Sequence, residues 1–565
     1  MSDKKDMERQ VHIEEDVELS NPDHVKGELP PVRGEVHAME IVRSGGEEVD
    51  LHINELEIQL AARNVDDDSG WSKFLSFHNP DNFTKFLAAF ACIGGLLCGI
   101  DQSLISGANL FMPSALNLTA DQASLVNASV ALGGMAGSLS LSPINELLGR
   151  RKAIMVSCLL YTIGAALEAG AMNFGMMVSG RLVLGMGIGI EVATVPIYVA
   201  ETVPRKHRGN LVSLYQFNIT LGEVLGFAVA AMFISVKGNW RYILGSSLVF
   251  STILFVGMIF LPESPRYLMH KGHPLDAFRV WKLVRDIRQR EAKDEFFVMM
   301  FSVREEAAGN RNRGKFAWTD YLTVARCRRA MIYSLVMGAL GQLTGINAVM
   351  YYMAVLFSKV GFDAKDSVFM SLVGGGTLML GVIPAIIFME RRGRRFWAIT
   401  MVPCFFVGLL IIGLGYLIPL SHTGAAQGIY ITGLVIYMFF FGPYATLSWI
   451  IPSEVYPTYL RSYGMTVYTT IAFVWIFVVT YNFSQMLEAM TKIGLTLGFY
   501  GGIAVIGWFY QIFFMPETHN KTLEEIDLVF QKPTIEIVKE NARNSWETAK
   551  DLAHFRLRKV FLTRS

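Results

Sequence analysis

The chain has 565 residues, of which 52% are hydrophobic and 18% charged, with a formal net charge of +1. A soluble chain of ordinary composition carries about 25% charged residues, and the near-zero net charge excludes a polycationic binder of nucleic acid. Of the five cysteines, Cys92, Cys98, Cys158 and Cys404 lie in apolar runs and Cys327 in a charged loop, which excludes a disulfide framework and a zinc-ligand pattern.

Residues 1–83 form a hydrophilic tail rich in Asp, Glu, Lys and Gly, expected to be largely disordered apart from a short helix near 51–63. No secretory signal is read in it, so the first apolar run is expected to direct insertion. Twelve apolar runs follow, at about 84–110, 122–145, 152–172, 175–199, 209–236, 241–261, 330–358, 366–389, 396–419, 428–452, 462–488 and 494–515. Each is near the roughly 20 residues that cross about 30 Å of hydrocarbon. Residues 262–329 are a polar segment with helical patterning, and 516–565 a polar tail expected to be helical. The predicted fold is an all-α membrane protein with twelve transmembrane helices, six in residues 84–261 and six in residues 330–515. Arg150, Arg151, Lys152, Arg205, Lys206, Arg208, the run 391–395 and Arg461 fall in alternate short loops. By the positive-inside rule both termini and the central segment face the cytoplasm. The abundant glycines in the runs suit close helix packing in lipid. Asn117-Leu118-Thr119, in the first external loop, fits an N-glycosylation acceptor.

Three motifs occur twice. Glu146 precedes Gly149-Arg150-Arg151 as Glu390 precedes Gly393-Arg394-Arg395. Glu201, Pro204 and Arg208 are matched by Glu454, Pro457 and Arg461, and Pro262-Glu263-Ser264 by Pro516-Glu517-Thr518. The offsets are 244, 253 and 254 residues, so two copies of one module are joined head to tail, a common build of secondary transporters. Positive-inside anchoring explains the arginines but not a glutamate at matching places in each half. Glu146, Arg150, Arg151, Glu201, Arg208, Glu390, Arg394, Arg395, Glu454 and Arg461 are therefore read as a gate, expected to form ion pairs across the seam between halves and to break when the halves rock.

Further motifs make the chain resemble the sugar porter family of the major facilitator superfamily over residues 84–530. They are Gly180-Arg181; Pro196, Tyr198 and Glu201; Pro262 to Leu268; Gln342-Leu343-Thr344-Gly345-Ile346-Asn347 with Tyr351-Tyr352; Trp449 with Ser453-Glu454; and Pro516-Glu517-Thr518 with Leu523-Glu524-Glu525. The resemblance implies two six-helix bundles, a central sugar site and cytoplasmic helices in the central segment. An ionised carboxylate inside a span costs about 2.5–3.5 kcal/mol on insertion scales, yet Asp101 stands in the middle of the first run. In proton-coupled members an aspartate at the Asp101 position faces an arginine at the Arg181 position, which implies that the proton is the coupling ion; no other cofactor is expected. Gln216, Gln342 and Asn347 match sugar-contacting positions, and Tyr351 and Trp449 aromatic ones. Such amides pair with hydroxyls while a ring covers the apolar sugar face.

Several positions depart from the family pattern. Glu223, seven residues after Gln216 and on the same helical face, stands where the family has a second glutamine. Gly341 replaces one of two consecutive glutamines, Gly374-Gly375-Gly376 occupies the region of an expected asparagine, and Trp475 that of another. Gly442-Pro443 also lies farther than usual before Trp449. Glu168 is expected to be a neutral, hydrogen-bonded residue, and Glu191 stands where a small residue is usual. The leading expectation is proton-coupled import of a hexose or a polyol such as myo-inositol, in the plasma membrane. Glu223 and Trp475 also suit an amine, a zwitterion or an aromatic metabolite, with export as a variant. A nutrient sensor using its long tail is a third reading. No nucleophile–base arrangement, metal cluster or phosphate loop suggests an enzyme.

Overall fold

The computed structural model describes residues 47–62, 80–202, 208–312, 319–418, 423–456, 460–491, 494–518, 526 and 529–554. Pro204, Pro457 and most of the N-terminal tail lie outside these. The described residues are helical, with no strand among them. Among the described residues, ten helices are long and apolar enough to cross a membrane, or eleven if one bent pair counts as a single span.

Helix α1, Glu47–Ala62, is the expected tail helix. The first apolar run is divided into α2, Pro80–Ala91, and α3, Ile93–Ala108, of 12 and 16 residues, each too short to cross a bilayer alone. The second run bends by 50° between α4, Ala120–Leu139, and α5, Leu141–Leu148. At the bend Ser140 Oγ donates back to the Ala136 carbonyl at 2.9 Å, and Pro143 removes a backbone donor just beyond. Helices α6 (Arg150–Ala169), α7 (Phe174–Thr202) and α8 (Arg208–Phe233) follow, then α9 (Asn239–Gly245) and α10 (Ser247–Phe260).

The polar central segment folds into α11 (Pro265–His270), α12 (Pro274–Val284) and α13 (Arg290–Asn312). The tail helix packs on them: Val49 and Ile53 are buried against Phe278, Trp281, Phe296 and Phe297. Asp50 bonds to Lys293 at 2.7 Å and Arg290 at 2.8 Å, and the Lys293 hydrogen bond holds its carboxyl below the usual range.

In the second half, α14 (Ala325–Leu343) and α15 (Ile346–Lys359) share one apolar run, and α16 (Ala364–Arg392), α17 (Arg394–Gly415), α18 (Thr423–Val455) and α19 (Arg461–Ala489) follow. A π-helical stretch, Gly494–Gly501, leads into α20 (Gly502–Phe514), and α21 (Thr534–Ala553) lies in the C-terminal tail. Helix α18 continues through Pro443 and Pro452.

The halves meet where α4 packs on α19 and α8 on α16. A Cβ on Gly134 would lie 2.6 Å from the Phe473 ring, and Ser138 and Thr470 share a hydroxyl hydrogen bond of 2.9 Å. Toward the other end of the bundle, Asn109 donates to the Tyr351 carbonyl at 3.1 Å, and the Ala354 N–H to Ser106 Oγ at 3.2 Å.

Gly345 separates α14 from α15 with φ of 94°, and a Cβ there would lie 3.0 Å from the Tyr500 ring. Both left-handed backbone and contact therefore oppose a side chain. Gly345→Ala is expected to destabilise the protein by about 1–3 kcal/mol, read as a lowered melting temperature of purified protein in detergent.

Candidate functional site

The twice-repeated motifs assemble into two matching networks at one end of the molecule. In the first half Gly149 has φ of 89° and caps α6. The Glu263 carboxylate packs against Gly149, where a Cβ would come 2.5 Å from its oxygen. That carboxylate accepts from the backbone N–H groups of Arg150 at 2.9 Å, Arg151 at 3.0 Å and Ser264 at 2.9 Å. An anion at a helix N-terminus meets unpaired donors and the positive end of the dipole. Burial still pushes the Glu263 carboxyl above its usual range, against the pull of those donors. Arg150 Nη2 reaches across to Glu201 Oε1 at 2.8 Å, and Ser264 Oγ donates to the other oxygen of Glu201. Arg151 turns to the end of α10, donating to the carbonyls of Met258 at 3.0 Å and Ile259 at 2.6 Å.

The second half repeats this arrangement with matching residues. Gly393 has φ of 81°. Glu517 accepts from the N–H groups of Arg394 at 2.9 Å, Arg395 at 3.1 Å and Thr518 at 3.0 Å. Arg394 Nη2 meets Glu454 Oε1 at 2.8 Å, and Thr518 Oγ1 bonds to Glu454 Oε2 at 2.8 Å. Arg395 caps the Ile512 carbonyl at 2.7 Å and also reaches Ser545 of α21 at 3.0 Å.

Both ion pairs lie within their own half, joining the start of one helix to the end of the next, rather than crossing the seam. The reason is local: each arginine opens a helix beside the neighbouring helix end that carries the glutamate. Glu146 is exposed, and its carbonyl and that of Leu147 face the Tyr267 hydroxyl. Arg461 opens α19. The side chains of Arg208 and Glu390 lie outside the described ones. Glu263 and Glu517 were not among the expected gate residues, although their repeated Pro-Glu-Ser/Thr setting marked them.

The second constellation is buried among the spans. Arg181, with no exposed side-chain surface, places Nη1 2.5 Å from Asp101 Oδ1 and 3.6 Å from Glu168 Oε2. Its Nε donates to the Val126 carbonyl at 3.4 Å. Glu168, expected as a neutral hydrogen-bonded residue, thus stands beside Arg181. Tyr351, expected beside the substrate, interacts electrostatically with Asp101, Arg181 and Glu168, while its carbonyl holds Asn109.

The third is polar and aromatic. The break at Gly345 lets the Asn347 amide donate to the Gln342 side-chain carbonyl. Trp449 stands between Tyr215, 6.4 Å away, and Tyr468, 6.1 Å away, edge to face with each. Gln216 and Glu223 are buried on α8, with Gln216 Oε1 and Glu223 Oε2 unpartnered. Glu191 is buried against Gly94 with both oxygens unpartnered. Trp475 is half-buried, two turns beyond Tyr468 on α19. At Gly341 a Cβ would already lie 3.0 Å from Ser448 Oγ, so a glutamine there would require Ser448 to shift. Asn117 is exposed, and Thr119 caps α4.

This arrangement of helices around buried polar groups has the fold of a solved major facilitator protein. The solved proton:xylose symporter XylE bound to 6-bromo-6-deoxy-D-glucose superposes with a TM-score of 0.69 at 21% identity, over 80% of this chain and 100% of that one. The chain belongs to the family described as "Sugar (and other) transporter", whose profile matches residues 87–530. It is 57% identical to the myo-inositol transporter FST1 of Gibberella moniliformis over 543 residues, 95% of this chain and 93% of that protein. It is 29% identical to the arabinose-proton symporter of Escherichia coli K12, over 80% of this chain and 94% of that one.

The Arg150–Glu201 pair predicts strong non-additivity. Arg150→Ala and Glu201→Ala should each lower thermal stability and transport, while the double variant loses less than their sum, with a coupling of about 0.5–3 kcal/mol in melting measurements.

Proposed function

We propose that this transporter imports a polyol or hexose, with myo-inositol the leading substrate, together with a proton. It would cross the plasma membrane twelve times, with both termini and the α11–α13 segment in the cytoplasm. The observation that carries the coupling is the Asp101–Arg181 pair, 2.5 Å apart and almost wholly buried. A carboxylate paired with a guanidinium in a dry site changes its proton affinity when the pair opens or water reaches it. The relative that transports myo-inositol supports the substrate, as do the buried amides. A polyol is rich in hydroxyl donors, and Gln216 Oε1 and Glu223 Oε2 are acceptors free to receive them.

The cycle follows alternating access. From the outside a proton binds Asp101 and loosens Arg181. Substrate enters among Gln216, Glu223, Gln342, Asn347, Trp449 and Trp475. The hydrogen bonds of Ser106 and Asn109 to α15 would clasp the outer side shut. The networks of Arg150–Glu201 and Arg394–Glu454 then loosen on the cytoplasmic side, and substrate and proton leave inward. Asn117 would carry a glycan on the outer face.

The test is uptake of labelled myo-inositol, glucose, xylose and one organic cation by cells lacking their own inositol and sugar carriers. Saturable myo-inositol uptake is expected, faster at about pH 5 than at about pH 7.5, with acid stimulation lost in Asp101→Asn. Cation uptake without polyol uptake, with the protein at the cell surface, would overturn the substrate assignment.

A further inference from the structure

We propose that Glu168 is the second carboxylate of the proton site, sharing Arg181 with Asp101 so that the three side chains take up one proton as a unit. The inference rests on the proton-coupled reading above.

One guanidinium neutralises one carboxylate. Here two carboxylates, on α3 and α6, converge on the same Nη1 of Arg181 at 2.5 and 3.6 Å, and none of the three side chains is more than 3% exposed. With both acids ionised the cluster carries one net negative charge in a site remote from water, and one added proton makes it neutral. For an isolated Asp101–Arg181 pair the change would run from neutral to net positive, creating an uncompensated buried charge. Glu168 therefore reverses the electrical sense of proton uptake: loading removes a buried charge instead of creating one.

Packing holds Glu168 in this role. A Cβ on Gly180 would come 3.0 Å from both Glu168 Cγ and its backbone nitrogen, so α6 and α7 approach closely and the glutamate lies along Arg181. Asp101 Oδ2 and Glu168 Oε1 are unpartnered acceptors that can receive the proton or a displaced guanidinium, and Arg181 Nη2 is an unpartnered donor. The charged groups acting on Glu168 are Arg181 and Asp101. From the same helix Tyr161 faces the cluster, its hydroxyl donating to the Leu97 carbonyl at 3.2 Å. Tyr351 faces it from α15, and α4 contributes the Val126 carbonyl. Arg241 of α9 is committed to the Ala169 carbonyl at 2.8 Å and the Trp240 ring. Glu191 lies farther along α7 and acts on Tyr161.

In the proposed step a proton from external water forms an O–H bond on one carboxylate oxygen of the cluster, and the Arg181 hydrogen bond to that carboxylate breaks. The proton later passes to water on the cytoplasmic side and the bond to Arg181 re-forms. No electrons are exchanged.

The experiment compares wild type, Glu168→Gln and Glu168→Asp, as full chains in proteoliposomes. It follows labelled myo-inositol uptake across external pH, together with substrate-driven proton entry read by a trapped pH dye. Removing the negative charge weakens proton binding, so the Gln variant should need a lower pH. We expect about tenfold less uptake near neutral pH, recovered about one unit or more to the acid side. The Asp variant, which keeps the charge, should follow the wild type. Glu168→Met gives the same reading if the Gln variant fails to reach the membrane. Coincident profiles for wild type and the uncharged variant, with proton entry intact, would overturn the role of Glu168. So would equal displacement of the Asp and Gln variants, which would trace the effect to packing against Gly180. Wild-type uptake without proton entry would instead overturn the coupled reading, and this inference with it.

Discussion

A guanidinium in the membrane interior persists only where carboxylates neutralise it and hydrogen bonds replace its water. Arg181 meets that condition by drawing Asp101 from α3, Glu168 from α6 and the Val126 carbonyl from α4 onto one helix, α7. Four helices of the first half are thereby registered by a single side chain. Tyr351 of the second half lies within electrostatic range of the same charges, and its carbonyl receives Asn109. A change of protonation at the cluster thus acts next to the clasp that joins α3 to α15.

The charged end of the molecule obeys a different constraint. Helices α6 and α17 each begin with two arginines, and their first backbone N–H groups lack intrahelical partners. Glu263 and Glu517 supply those partners from the residues that follow α10 and α20. The side chains of Arg150 and Arg394 then tie in the ends of α7 and α18 through Glu201 and Glu454. Each network stiffens one half as a body. That suits rocking of two units, and it differs from a lock stretched between them. The extra tie from Arg395 to Ser545 connects the C-terminal helix to the second network.

Between these ends lies the break at Gly345. Backbone freed from helical bonding is tolerated in a membrane only where neighbouring groups satisfy it. Here the Thr344 carbonyl accepts from the Tyr437 hydroxyl at 3.2 Å, and beside it the Asn347 side-chain amide donates to the Gln342 side-chain carbonyl. A substrate hydroxyl that displaced either amide would find a donor and an acceptor already aligned. The aromatic row of Tyr215, Trp449 and Tyr468 links α8, α18 and α19 beside it, so ring contacts bridge the halves close to where the amides meet.

Much of this was legible in the residues alone. The lengths of the apolar runs follow from bilayer thickness, the helices of the central segment from their helical patterning, and the duplicated motifs from near-constant offsets. Gln342 and Asn347 were marked as polar residues in an apolar run, and Asp101 and Arg181 as charges too costly to be incidental. What the one-dimensional order could not supply was who meets whom. Arg150 pairs with Glu201 inside one half because a helix start lies beside its neighbour's end. Glu263 and Glu517 become helix caps because the chain returns to Gly149 and Gly393. Glu168 becomes a partner of Arg181 because two glycine-lined helices approach closely enough. Composition and spacing determine that a residue must be buried, charged or at a helix end, since those are properties of single segments in lipid. Pairing is a property of distance between segments, and only the packed structure decides it.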